Sequence, residues 1–313
     1  MKFPAFILLL LFINACTFKR QRHDNDESLA QQQVPDSVQS MLVTGQMQFI
    51  AAMTGYSNIN DSEKINRRWS DDEKLIVRNF ISNRLRETGI YALEQPYTIN
   101  LPRSNKMRTH NPFTGTNLYA RLPATQASNE YIVLGAHYDT VKESPGASDN
   151  ATGCALVYGV ARLLSQIKNR SKHVFIVFFD QEEGGHAGAQ RFTDFLKENA
   201  FNVHSVHTAD QVGWDKDGDR NIELEKPTAY LKSVYKKHAK AFGINIYTTK
   251  VTASDHKEFR NGGFRATGIT EEYKHGDTSP HHHEPTDTYD TVNFEYLAFV
   301  TYIVYKVIEE LIS

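Results

Sequence analysis

The chain has 313 residues, 40% of them hydrophobic, which is enough for one large core or for one core with an appendage. Its formal net charge is −2, and its lysines and arginines are scattered apart from short clusters such as Asn66-Arg67-Arg68 and Lys236-Lys237. That balance excludes a broad basic footprint for nucleic acid, and it leaves thirteen histidines as the unusual feature of the composition.

The first fifteen residues read as a targeting segment. Lys2 precedes an apolar run over 6–13 that is too short to span a membrane. The tetrapeptide Ile13-Asn14-Ala15-Cys16 resembles the bacterial lipoprotein cleavage box. The resemblance implies a signal peptide over 1–15, a lipid on Cys16 as the one membrane attachment, and a place in the bacterial cell envelope. Thr17, rather than an acidic residue, follows the cysteine, which in that resemblance favours the outer membrane or a periplasm-facing site. With Cys16 given to lipid, Cys154 has no partner for an intramolecular disulfide. It shares a helical face with Val157, Tyr158 and Ala161 and reads as a small buried hydrophobe. Residues 16–36 are polar and unpatterned, as in a flexible tether.

A helix is predicted over 38–53. A second starts at Ser70, which with Glu73 makes a capping-box pattern, and stops near Gly89. Residues 91–100 and 117–122 read as an antiparallel strand pair, and 131–137 as the first buried strand. An apolar helix follows over 150–167. The continuous apolar run over 174–180 is what a central strand covered on both faces looks like. A helix over 192–199, a strand over 203–212, a helix over 228–242 and a strand over 264–270 come next. The closing helix, 296–311, has Phe299, Ile303 and Val307 at helical spacing. The alternation predicts an α/β fold: one three-layer domain over 37–313, with a mixed, mostly parallel central sheet and helices on both faces.

In such sheets ligands bind beyond the carboxyl ends of the strands, and polar residues fall there. His137 and Asp139 follow one strand, and alternate residues of a strand share a face. A histidine with a carboxylate two positions on suits a metal site, the imidazole ligating and the carboxylate orienting it. Asp149 stands at the mouth of the apolar helix. Glu182-Glu183 follows the strongest strand, and neighbouring turn residues point differently, so one carboxylate can hold a metal while the other faces its water. Zinc lowers the pKa of bound water from 15.7 to about 7, and a nearby carboxylate can then take the proton. Asp210 lies among apolar neighbours, an expensive place for an unpaired carboxylate. His281-His282-His283 is an internal triplet. Singly, each of these reads as structural. Together, His137, Asp149, Glu183, Asp210 and His283 are five mixed nitrogen and oxygen donors. They are too many for one tetrahedral zinc and suit two ions sharing a carboxylate, roughly 3.5–4 Å apart.

The motifs A-H-Y-D-T (136–140), G-A-S-D-N-A-T-G (146–153), F-F-D-Q-E-E-G-G (178–185), A-D-Q-V-G (209–213), S-D-H-K-E-F (254–259) and H-E-P-T-D-T (283–288) resemble the zinc-dependent exopeptidase family typified by bacterial two-zinc leucyl aminopeptidases. The related two-zinc carboxypeptidase and dipeptidase family has a longer gap from first histidine to bridging aspartate than the one between His137 and Asp149. The resemblance spans about 115–311 and implies that Asp149 bridges two zincs. His137 and Asp210 would complete one ion, Glu183 and His283 the other. Asp139 would orient His137, and Glu182 would be the general base. Metal-bound hydroxide would attack a peptide carbonyl, and Glu182 would pass its proton to the leaving amine. It also implies a cis peptide at Asp149-Asn150.

There are departures. The family often has tyrosine before the last ligand, where this chain has His282. The Pro285 and Asp287 spacing selects His283 from the triplet. Asp215-Lys216-Asp217-Gly218-Asp219 begins like a calcium loop ending at Glu223, but the sixth position holds Arg220 where an EF-hand needs glycine, so a solvated acidic hairpin is expected. Ser254-Asp255-His256 are contiguous and form no hydrolytic triad; they are expected to order a substrate-side loop and start a short helix. Peptide substrates follow from the aminopeptidase reading. The same fold family also contains glutaminyl-peptide cyclases with a single zinc, and non-catalytic domains like that of transferrin receptors. The full ligand set and D-N-A-T-G favour the two-metal hydrolase. Nothing in the sequence sets the oligomeric state.

Overall fold

The computed structural model describes residues 31–100 and 112–313, so the targeting segment, Cys16 and most of the tether lie outside the described residues. The chain is tied down from Gln32, whose N–H donates to the Ala241 carbonyl at 2.8 Å. Strands β1 (Ala92–Ile99), β2 (Phe113–Leu122), β3 (Glu130–His137), β4 (His173–Phe179), β5 (Asn202–Ala209), β6 (Ile222–Glu225), β7 (Ile246–Thr249) and β8 (Ala266–Thr270) form one sheet in the order β1-β2-β4-β3-β5-β8-β6-β7. The central strands β4, β3, β5 and β8 run parallel, whereas β2 and β6 lie antiparallel to their neighbours β4 and β8. The mixed, largely parallel α/β sheet of the sequence reading is therefore present.

The apolar run of β4 is explained by two covered faces. Val174, Ile176 and Phe178 join a core with helices α1 (Asp36–Met53), α2 (Asp71–Arg86), α3 (Gly153–Leu164), α5 (Ala229–Ala241) and α7 (Phe294–Ile312). Phe175, Val177 and Phe179 join a second core with α4 (Ala187–Glu198) and α6 (His256–Asn261). Each such buried side chain contributes roughly 1.5–3 kcal/mol, so the strand has no face left for a polar residue. The capping box forms as expected: Ser70 Oγ accepts from Glu73 N at 3.3 Å, and Glu73 Oε2 accepts from Ser70 N at 2.8 Å.

Several boundaries differ, among them that of α3, expected over 150–167 and found at Gly153–Leu164. Strand β5 ends at Ala209, so Asp210 is the first residue past it. Strand β2 starts at Phe113, and α4 starts at Ala187 rather than 192. The first turn of α4 is Ala187-Gly188-Ala189, which has no bulky apolar period to read. Its smallness is a packing requirement: a Cβ on Gly188 would lie 2.4 Å from Asn117 Oδ1 and from the Asp180 carbonyl. Strands β6 and β7 were not expected at all.

The parallel register sets the site. His137 pairs with Phe179, Gly135 with Thr208, and Ala209 with Ile269. His137, Asp180 with the following Glu182-Glu183, and Asp210 thus emerge along one edge of the sheet.

Candidate metal centre

Asp149 is the hub. It lies in a tight turn, Ala147–Thr152, between β3 and α3, where Asp149 (φ −112°, ψ 89°) and Asn150 (φ −138°, ψ 46°) are not helical and the peptide between them is cis. Its two carboxylate oxygens face different partners. Oδ1 is 3.1 Å from His137 Nε2, which is itself 3.4 Å from Asp210 Oδ1. Oδ2 is 3.1 Å from His283 Nε2, which is 2.9 Å from Glu183 Oε2. All five expected donors are brought together, in two sets that share Asp149.

The surrounding groups hold these in place. His137 Nδ1 is 3.2 Å from the Asp139 carbonyl and 3.5 Å from its Oδ1. The Asp139 carboxylate also accepts from the N–H groups of Glu182 (3.1 Å) and Glu183 (3.2 Å), so one side chain orients the histidine and fixes the acidic turn. Glu182 points elsewhere, its Oε1 3.2 Å from His186 Nε2. The acidic pair therefore diverges, as the turn argument requires.

Two holding residues were missed by sequence reasoning. Asp287, read only as spacing, accepts from the N–H groups of Ser148 (2.8 Å) and Asp149 (3.0 Å); burial pushes its carboxyl up to about 6. Arg68, read as part of a scattered basic cluster, is fully buried. It donates to the carbonyls of Tyr138 (2.7 Å), Met53 (3.0 Å), Pro145 (2.7 Å) and Gly146 (2.8 Å), tying down the loop between His137 and Asp149. A lone arginine in a polar stretch gives no sequence signal of this. His282, noted in the sequence only as standing where the family often has tyrosine, places Nδ1 3.1 Å from Asp149 Oδ2. His281 turns away onto Thr286 Oγ1 at 2.8 Å.

Other motifs behave as local structure. His256 starts α6, with Nδ1 3.2 Å from Glu225 Oε2 and Nε2 3.1 Å from the Val251 carbonyl, so no serine relay exists. The acidic segment after Trp214 is a loop whose backbone N–H groups are held by carboxylates, chiefly that of the distant Asp277. Asp277 accepts from the N–H groups of Lys216 (2.6 Å) and Asp217 (3.0 Å), and Asp215 from that of Arg220 (3.2 Å). Cys154 is buried, with Sγ 3.1 Å from the His137 carbonyl, and burial pushes its thiol up to about 12.

The sequence model of Peptidase family M28 matches residues 117–308. The chain belongs to that family. Among curated M28-like relatives, Aminopeptidase YwaD of Bacillus subtilis (strain 168) is 26% identical over 216 residues, covering 66% of this chain and 47% of the relative. This chain spans about half the length of the first curated relatives it matches. The crystal structure of BSAP, a zinc aminopeptidase from Bacillus subtilis, superposes with a TM-score of 0.75 at 15% identity, covering 87% of this chain and 95% of that one. Glutaminyl cyclase of Porphyromonas gingivalis superposes with a TM-score of 0.67 at 18% identity, over 86% and 98%. At those identities the likeness is one of fold.

The M28 chain's donors suit divalent metal on their own geometry: those of His137, Asp149 and Asp210 lie within 4.8 Å of one another, as do those of Asp149, His282 and His283. His137 Nε2, Asp210 Oδ1 and Glu183 Oε1 are buried and make no hydrogen bond among the described residues. Buried polar atoms without partners are rare and costly. Donors 2.0–2.2 Å from a tetrahedral zinc lie about 3.3–3.6 Å apart, close to the 2.9–3.4 Å separations here. The cluster also attracts positive charge. Burial raises Glu183, and with the Asp149 charge beside it the carboxyl is pushed up to about 8. Hydrogen bonds to Asp149 and Glu183 push His283 up to about 10. The acids favour a cation among them, the role a divalent metal fills. A cavity of about 410 Å³ opens onto Asp149, Glu182, Glu183 and Asp210 and is also lined by Thr252, Lys257 and Tyr273.

Proposed function

We propose that this M28 family member is a two-zinc exopeptidase, an aminopeptidase that removes N-terminal residues from peptides. The observation that carries the reading is the division of Asp149: one oxygen faces His137 and the other His283, each set completed by a further carboxylate. His137, Asp149 and Asp210 would hold one ion, and Asp149, Glu183 and His283 the other. When bound, zinc supplies the positive charge that polarises a carbonyl oxygen and brings the pKa of water down to about 7.

The chain's own residues do the rest. Asp139 keeps the His137 ring in orientation and the Glu182-Glu183 turn in register. Glu182 lines the cavity, with Oε1 turned to His186, and its carboxylate would take a proton from the attacking water. As the water oxygen bonds to the scissile carbonyl carbon and the C–N bond breaks, Glu182 delivers that proton to the leaving amine. The products are an amino acid carboxylate and a shortened peptide.

The test pairs zinc content with release of aminoacyl-nitroanilides and cyclisation of an N-terminal glutaminyl peptide. Two zincs per chain with nitroanilide release are expected. Glu182→Gln should lower kcat by about 10³-fold at unchanged zinc content, the general-base share of such a reaction. One zinc with cyclisation and no hydrolysis would replace this reading by a cyclase. Neither metal nor activity would leave a binding domain.

A further inference from the structure

One side of the site carries an imidazole more than the expected ligand set. His282 Nδ1 approaches the same Asp149 oxygen as His283 Nε2, each at 3.1 Å. The two rings stack with centroids 3.8 Å apart and 22° between planes, so each limits the other's rotation. His282 is not a buried residue: 39% of its side chain is exposed. Yet its Nδ1 is buried and makes no hydrogen bond among the described residues. A ring with water on one side thus turns a nitrogen inward to a carboxylate cluster. The adjacent His281 satisfies its own Nδ1 on a nearby hydroxyl instead.

We propose that His282 is a fourth protein donor for the metal beside His283, closing that site and leaving the one beside His137 open. The inference rests on the two-zinc reading above and deepens it. The Asp149, His282 and His283 donor atoms lie within 4.8 Å of one another on one side, with Glu183 Oε2 2.9 Å from His283 Nε2; those of His137, Asp149 and Asp210 lie as near to one another on the other. Four protein donors are the pattern of zinc sites that hold their ion permanently, and three leave a position for water or substrate. Two imidazoles also bias that side toward zinc over magnesium, calcium or manganese, which prefer oxygen. The result is two ions held unequally, with the exchangeable one next to His137 and Asp210.

The full chain, loaded with zinc, is dialysed against chelators of increasing strength and its zinc counted. The wild type should lose one zinc early and keep the second to conditions at least about 100-fold more demanding. Removing even an outer-shell partner costs 10–100-fold in affinity, and a direct donor stands above that. His282→Ala should lose both ions together. Alanine also removes the ring stacked on His283, so His282→Phe, which keeps a ring and lacks the nitrogen, is run beside it and should behave the same. Cobalt(II) added to the metal-free chain gives a visible absorption spectrum that reports its donors. That spectrum should change in both variants, and added imidazole should restore it in His282→Ala, where the exposed ring has left a space, but not in His282→Phe.

If both variants keep two unequal zincs and the wild-type cobalt spectrum, His282 is no donor, whatever happens to hydrolysis, and the two-zinc reading stands without it. A wild type that holds a single zinc, lost in His282→Ala, would support the donor role and overturn the two-zinc reading. A wild type that binds no zinc would overturn both.

Discussion

His186 occupies a left-handed backbone position (φ 62°) just ahead of α4, and its ring joins two carboxylates. Nε2 is 3.2 Å from Glu182 Oε1 and Nδ1 is 3.5 Å from Glu258 Oε1. Burial opposes its charge, but Glu182 and Glu258 outweigh burial and push it up to about 10, so the ring is a cation at neutral pH. Its effect is to aim Glu182, the proposed base, from the far side of the turn. His186→Asn tests this role. Asparagine tolerates the left-handed backbone, and its amide falls near the place of Nδ1, so the tie to Glu258 is kept while the one to Glu182 is lost. The expected result is a kcat about tenfold lower with KM and melting temperature little changed, in keeping with loss of one charge-assisted hydrogen bond. A parallel rise in KM, or a fall in melting temperature that accounts for the lost activity, would make His186 structural instead. At this scale His137, Asp149, Glu183, Asp210 and His283 each read singly as structural; they were picked out as a set by the order and spacing of their motifs, and the fold brings them together. His186, His282 and Arg68 were not picked out, because their roles depend on where a loop turns a side chain.

Strand β5 carries His207 between β3 and β8, with ring nitrogens 3.0 Å from Tyr235 O–H on α5 and 3.0 Å from Ser205 Oγ. Burial, with His204 nearby, pushes it down to about 3. The sign of the pH effect follows. In the unfolded chain this histidine takes a proton below about pH 6.5, and in the folded one it stays neutral until about 3, so stability is full above 6.5 and falls as pH drops through that window. Between pH 7.5 and 5.0 the loss from His207 alone comes to about 2 kcal/mol. Urea unfolding at the two pH values should therefore show a drop about 2 kcal/mol smaller in His207→Gln than in the wild type. An equal drop in both would mean that His207 is protonated in the fold. The same strand shows what was legible among the elements. Strands β3 and β4 were read because apolar side chains on both faces leave an unbroken run, whereas in β5 His204, Ser205, His207 and Thr208 interrupt it and its end was set three residues too far. Strand β6 was not read, because Ile222-Glu223-Leu224-Glu225 alternates like a half-solvated edge, yet both glutamates are buried, against His275 and His256. Buried ion pairs imitate a polar face, and only the tertiary partners remove the ambiguity.

The donors for the proposed metals come from five separate segments, yet all are anchored in one sheet whose strands share a core. His137 ends β3, Glu183 follows β4, Asp210 follows β5, Asp149 precedes α3, and His283 lies in the loop before α7. The last of these is bound to the others through the site itself: Asp287, four residues past His283, accepts from the backbone beside Asp149. Metal held here would clamp the last segment of the chain, from His283 to Ser313, to its centre, and its removal would set the carboxylates of Asp149, Glu183 and Asp210 against each other. Binding of a ligand to the folded state alone stabilises by RT ln(1 + [L]/Kd), about 4 kcal/mol at a thousandfold excess over Kd. A domain this large shifts its melting temperature by about 2–4 °C per kcal/mol. Stripping zinc with a strong chelator should therefore lower the melting temperature by about 10 °C. Because Gln32–Ser313 forms one compact unit, the chain should still melt in a single step, detected alike by circular dichroism and by tryptophan fluorescence from Trp69 and Trp214. A melting temperature unmoved by chelation would argue against metal at this centre. A split transition, with Trp214 fluorescence lost first, would show that the loop bearing His283 detaches from a core that remains folded.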